Sequence, residues 1–207
     1  MKGLPKKDLI MLYKYCRITL LSCLLFTLVG GFANGNLFFV VYPVVIGSVM
    51  AQSLLSYDER SGWDSYCDSL PLSRPQIVTE KYLLALLLFG VFFVLGILSR
   101  VILLLRGESA SFFTAMAVMA AGGLLGPSVL LPFSFRFGTE KGRIVYLVAI
   151  GLVCACGAAV SGGRGMEGES AFTLGSAPAM GVLALSAVVF LISWRLAIQF
   201  YKKRELL

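Results

Sequence analysis

Six long apolar stretches alternate with short polar ones along this chain, and that alternation organises everything else. Crossing an apolar layer of about 30 Å takes roughly 20 helical residues, somewhat fewer where the bilayer thins. By that measure the pattern predicts spanning helices over Ile18 to Ala33, Leu37 to Leu55, Tyr82 to Leu105, Phe112 to Leu131, Ile144 to Ser161 and Pro178 to Leu196. The first is the shortest, and its basic leader imitates a secretion signal. The turn Asn34-Gly35-Asn36 leads straight into another apolar run, so a retained helix and a hairpin of the first two spans are expected. The polar intervals 56–81 and 132–143 and the glycine-rich interval 161–177 are all too short to fold alone, since a self-standing domain needs about 40 residues. The expected fold class is therefore all-α integral membrane, one domain over residues 1–207 with six transmembrane helices.

Composition agrees with the pattern. Of 207 residues 58% are apolar and 14% charged, against about a quarter charged in soluble domains. The net charge of +7 first suggests nucleic acid, but its distribution has a simpler cause. Lys2, Lys6, Lys7, Lys14 and Arg17 precede the first span; Arg60, Arg74 and Lys81 lie between the second and third; Arg136, Lys141 and Arg143 lie between the fourth and fifth; Arg195, Lys202, Lys203 and Arg204 follow the last. That places 15 of the 18 basic residues on one side. Arg106 and Arg164 fall on the other, and Arg100, near the outer end of span three, is expected to snorkel outward on its long stem. The positive-inside rule then puts both termini and the two charged loops in the cytoplasm, and no nucleic acid partner is needed.

Much chemistry is excluded by what the spans lack. There is no histidine, which removes the usual general base near neutral pH and the commonest metal ligand. All acidic residues fall outside the predicted spans, which disfavours ion-coupled transport. No G-x-x-x-x-G-K-[ST] loop occurs, so any nucleotide chemistry belongs to another polypeptide. Cys16, Cys23, Cys67, Cys154 and Cys156 read as small packing residues. No cofactor and no metal is expected in this chain.

The loop from Ser56 to Lys81 is the least membrane-like part. Trp63, Tyr66, Cys67 and Leu70 share one helical face and Asp64, Ser65 and Asp68 lie elsewhere, so Glu59 to Leu70 reads as a short amphipathic helix ended by Pro71. A helix lying on the membrane surface would carry Lys or Arg where this one has Asp64 and Asp68, which favours docking to a protein groove. Ser73 and Gln76 then fit a capping box, with a new helix running through Ile77, Val78 and Lys81 into span three. Such a helix would act as a rigid lever, carrying force from the loop to a spanning segment.

These residues carry a resemblance. The segments Asp58-Glu59-Arg60-Ser61-Gly62-Trp63, Leu70-Pro71-Leu72-Ser73-Arg74 and Phe137-Gly138-Thr139-Glu140-Lys141-Gly142-Arg143, with the terminal Tyr201-Lys202-Lys203-Arg204-Glu205, resemble the membrane subunit of ABC-2 type exporters. Among its branches the chain is most similar to the small permeases of phenol-soluble-modulin exporters, which pass amphipathic peptides. The resemblance implies a bacterial cell-membrane permease that pairs with a second protomer, identical or paralogous. Each would dock on a separately encoded ABC ATPase that binds ATP and Mg. It implies that Glu59, Gly62, Trp63, Tyr66, Leu70, Pro71 and Arg74 form the coupling helix between spans two and three, and its exit. Glu140, Lys141, Gly142 and Arg143 would form a second contact, or else simply a turn with positive-inside charges. Leu9, Leu12, Tyr13 and Cys16 share a face consistent with an interfacial helix leading into span one.

The spans offer nearly uncharged walls, which suits a hydrophobic or amphipathic cargo better than a sugar or ion. Phe26, Phe32, Phe38, Phe39, Phe89, Phe92, Phe93, Phe112 and Phe113 either line such a path or face lipid. Gly122 and Gly126 make a small-residue face whose default use is packing within the chain, and Pro43, Pro127, Pro132 and Pro178 are positions where helices kink or end. The alternative to transport is a membrane scaffold or immunity protein that binds a toxic peptide without moving it. An intramembrane enzyme has no nucleophile and base to support it.

Overall fold

A computed structural model describes residues 3–32, 37–63, 74–106, 112–160 and 176–203. These form seven helices and no strand: α1 (Gly3–Tyr15), α2 (Arg17–Gly30), α3 (Phe38–Arg60), α4 (Arg74–Leu105), α5 (Phe112–Phe137), α6 (Thr139–Val160) and α7 (Ser176–Lys203). Among the described residues α3, α4, α5 and α7 are long and apolar enough to cross a membrane, and α1 with α2 makes a fifth candidate if the bent pair is one span. The first predicted span falls on α2, which has 14 residues, about 21 Å of helix; just ahead of it the chain bends by 77° at Cys16, between α1 and α2. The fifth predicted span falls on α6, most of whose side chains beyond Val148 lie outside the described set. Asn34 to Asn36, where the turn is expected, also lie outside it. The last residue of α2, Gly30, packs on Phe39 and Val40 at the start of α3, while Tyr15 stacks on Tyr57 at 4.7 Å at the other end. α2 and α3 are an antiparallel hairpin.

α5 is the central helix, packed on α3, α4, α6 and α7, and it is far more deeply buried than α7. The small-residue face behaves as expected of packing within the chain. Cβ atoms at Gly122 and Gly126 would lie 2.8 Å from Val45 and 3.0 Å from Val49, so α3 seats directly on α5 there. The nine phenylalanines fall into separate groups. Phe92 is buried against Gly47, Phe89 stacks on Phe93 at 5.1 Å, and Phe26 joins Phe38, Phe39 and Tyr42 between α2 and α3. Phe32, Phe38 and Phe113 are exposed, as are Leu21, Leu25 and Leu28 of α2 and Leu185, Leu191 and Ile192 of α7. Apolar side chains exposed in this way match a bilayer environment.

Prolines do not break the helices. Pro43 lies inside α3, and Pro127 and Pro132 lie inside α5. Pro132 has no N–H for the Ser128 carbonyl one turn back. That acceptor is taken up by α7 instead, through the Ser193 hydroxyl at 2.6 Å. Ser193 has spent its proton on that bond, so the Tyr82 hydroxyl of α4, 2.8 Å away, donates to Ser193. A helix defect is thereby converted into a polar tie across three helices.

Arg100 does not snorkel. It is 1% exposed, because Phe92, Gly96, Arg100 and Leu103 form the inward stripe of α4, while Leu98 and Val101 face outward. The guanidinium is enclosed by the bundle.

Candidate functional site

One end of the bundle collects the charged residues that the sequence scatters over three polar segments. Lys7 and Asp8 lie on α1, Asp58 in the last turns of α3, and Lys81 in the third turn of α4. Lys81 Nζ lies 2.5 Å from Asp8 Oδ2 and 2.7 Å from Asp58 Oδ2; Lys7 Nζ lies 2.8 Å from Asp58 Oδ1 and 3.3 Å from Asp8 Oδ1. The four groups alternate in sign around a closed ring. Asp8, Asp58 and Lys81 are buried, and Lys7 carries the Trp63 ring 4.0 Å from its ammonium. Charges this enclosed are tolerable only because each has two opposite neighbours. Deleting one leaves another buried and uncompensated. The ring pins the slanted α1 onto the ends of α3 and α4.

Beside it, the two predicted coupling loops are joined through Glu59. Its Oε2 accepts the backbone N–H of Thr139 at 2.9 Å and the Thr139 hydroxyl at 2.5 Å. Thr139 is the first residue of α6, so the carboxylate caps that helix from a different element, where its charge also meets the positive end of the helix dipole. Gly138 makes the approach possible. It ends α5 with φ +89°, a left-handed conformation suited to glycine, and a Cβ there would lie 3.0 Å from Glu59 Oε1. Gln52 of α3 adds a contact from its Nε2 to the Thr139 carbonyl at 3.4 Å. Glu59, Asp58, Trp63, Lys81 and Thr139 all line one cleft at this end.

The predicted site residues divide accordingly. Glu59 and Trp63 are brought together, but Glu59 belongs to the last turn of α3 rather than to the start of a separate amphipathic helix. The break comes after it, at Ser61 and Gly62, where φ is +68°. Trp63 is half-buried against the core and against Lys7, so its ring is a packing element as well as a surface. Tyr66, Leu70 and Pro71 lie outside the described residues. Arg74 begins α4, which runs unbroken to Leu105, as the lever reading expects, while its side chain lies outside the described set. Glu140, Lys141 and Arg143 are exposed on the first turns of α6. Gly142 is buried, and a Cβ on it would overlap Ser134 Oγ and come within 3.1 Å of the Ser134 backbone nitrogen. Its role is to let α6 cross α5.

The face proposed for α1 is split. Leu12 and Cys16 point inward, whereas Leu9 at 51% and Tyr13 at 70% exposure point out. The inward stripe is Asp8, Leu12 and Cys16 at helical spacing, and Asp8 was the missed member. Its signal was present in the spacing, but a lone carboxylate on an apolar stripe names no partner.

No curated protein matches the chain and no solved structure does. The family model described as ABC-2 family transporter protein matches residues 3–202.

Proposed function

This chain belongs to the ABC-2 transporter family, and from that premise we propose that it is the permease of an ATP-driven exporter of amphipathic or hydrophobic peptides. Members of the family are membrane components of transporters, not catalysts themselves, and typically pair with an ATPase subunit. In the proposed assembly the ATPase is a separate polypeptide that holds ATP and Mg, and a second permease protomer, identical or paralogous, completes the path. The six-span topology with cytoplasmic termini rests on the basic residues counted above and on the length of α6.

The observation that carries the reading is the Glu59 link. A push on either cytoplasmic loop reaches α3 and α6 together, because the end of one caps the start of the other. The ion ring extends the same mechanical unit to α1 and α4. Glu140, Lys141 and Arg143 supply exposed charge for the docking partner, and the segment 64–73, with Tyr66, Leu70 and Pro71, leads from Trp63 to the lever α4. The nearly uncharged walls of the helices support an apolar or amphipathic cargo over a hydrated one.

Reconstitution with the cognate ATPase in vesicles tests the reading. ATP should drive a fluorescent amphipathic peptide across the membrane, and an ATPase unable to hydrolyse ATP should not. Peptide bound but never moved under hydrolysing conditions contradicts it, and is the outcome expected of a scaffold or immunity protein.

A further inference from the structure

Where α1 passes the first turns of α4, a mainly apolar groove runs between Leu4, Pro5, Pro75 and Leu83, with Gln76, Thr79 and Glu80 on its wall. Glu80 is half-buried, and its Oε1 is enclosed with no hydrogen-bond partner among the described residues. Among the described residues the nearby cations make no ion pair with it. Lys7 and Lys81 are each held by Asp8 and Asp58, two positive charges against two negative, so the ring is neutral by itself and Glu80 is the added negative charge among the described residues. A carboxylate oxygen removed from water without a replacement donor is unfavourable, and an incoming cation relieves it.

The walls decide which cation. A hydrated metal ion wants six or more oxygen ligands, and this groove is mainly apolar with one carboxylate. An ammonium borne on an apolar body satisfies both parts of the groove at once. A lipid amine arrives beside its own phosphate, for which the two neighbouring lysines, already committed to Asp8 and Asp58, leave no counter-charge. A peptide amine carries no such burden. Glu80 also lies just before Tyr82, where the predicted span begins, at the membrane edge where an amphipathic helix rests.

We propose that this groove is the entry seat for an amphipathic peptide cargo, with Glu80 accepting hydrogen bonds from a lysine or terminal ammonium while Leu4, Pro5 and Leu83 hold the neighbouring apolar side chains. The inference rests on the exporter reading above. It adds the chemical class of the cargo's leading group and the residue that receives it.

The test uses the full chain in phosphatidylcholine nanodiscs, with a fluorescent lysine-bearing amphipathic peptide and the same peptide fully acetylated on its amines. The unaltered protein should bind the amine form roughly tenfold or more tightly. Glu80→Gln should bring the two peptides to the same affinity without changing binding of the acetylated one. Equal affinities on the unaltered protein, which needs no variant to fold, overturn the proposal. So does a preference that survives in Glu80→Gln, or one that is lost when phosphatidylethanolamine is added because lipid takes the seat. ATP-driven peptide transport measured in the same samples separates the two claims. Transport with no charge preference defeats only the Glu80 seat, whereas absence of transport in the unaltered complex defeats the exporter reading itself.

Discussion

Glu59, in the last turn of α3, caps α6 by accepting both the N–H and the hydroxyl of Thr139 through one carboxylate oxygen. Two segments that are 80 residues apart in the chain therefore share one joint. Replacing Glu59 by Ala removes the cap and should lower stability by about 1 kcal/mol, the usual scale for a helix N-cap. The protein should still insert, while ATP-driven transport should fall by well over half. Glu59→Gln keeps an acceptor and should be milder in thermal melts. Transport at the unaltered rate in Glu59→Ala would remove the joint from the mechanism.

The ion ring predicts a sign reversal on double substitution. Lys81→Met alone leaves Asp8 and Asp58 facing each other in a buried site, and should cost about 3–5 kcal/mol. Adding Asp58→Asn restores neutrality with Lys7 and Asp8 still in place, so the double variant should melt higher than Lys81→Met alone. Thermal unfolding in detergent reads both. A double variant less stable than Lys81→Met would show that the charges act independently.

Ser193 stands in for the hydrogen bond that Pro132 cannot make. Ser193→Ala leaves the buried Ser128 carbonyl and the Tyr82 hydroxyl without their partner, a loss of about 1–3 kcal/mol. Combined with Pro132→Ala, which returns the N–H to α5, much of that loss should be recovered. Melting temperatures of the four proteins in the cycle check it.

Gly142 and Gly90 make a matched pair of substitutions. A methyl group on Gly142 overlaps Ser134, including its backbone, whereas one on Gly90 meets nothing within 4 Å. Gly142→Ala should therefore cost about 1–3 kcal/mol by forcing α6 away from α5. Gly90→Ala should be neutral or slightly stabilising.

Hydrophobic period alone located α3, α4, α5 and α7, because each carries an uninterrupted apolar run of spanning length. The same signal reads apolarity and not direction, so the 77° bend at Cys16, just ahead of the first predicted span, leaves no mark in the composition. Glu59 and Trp63 were legible as part of a site through their place in a charged, aromatic loop. The ring was not. Asp8, Asp58 and Lys81 each look like an ordinary solvated loop charge until the fold sets them against partners 73 and 23 residues away. Arg100 was misread for a related reason. Snorkelling follows from a lipid-facing position, and only the packing of α4 reveals that its arginine lies on the inward stripe.

Photo-crosslinking from two exposed positions at opposite ends of the bundle, Lys141 and Phe32, tests the central claim most directly in membranes that contain the cognate ATPase. A probe replacing Lys141 should capture the ATPase, with a yield that changes when ATP is added, while one replacing Phe32 should capture none. Capture from Phe32, or a Lys141 probe that never reaches the ATPase in a complex that transports, would contradict a permease driven through the end where α3 meets α6.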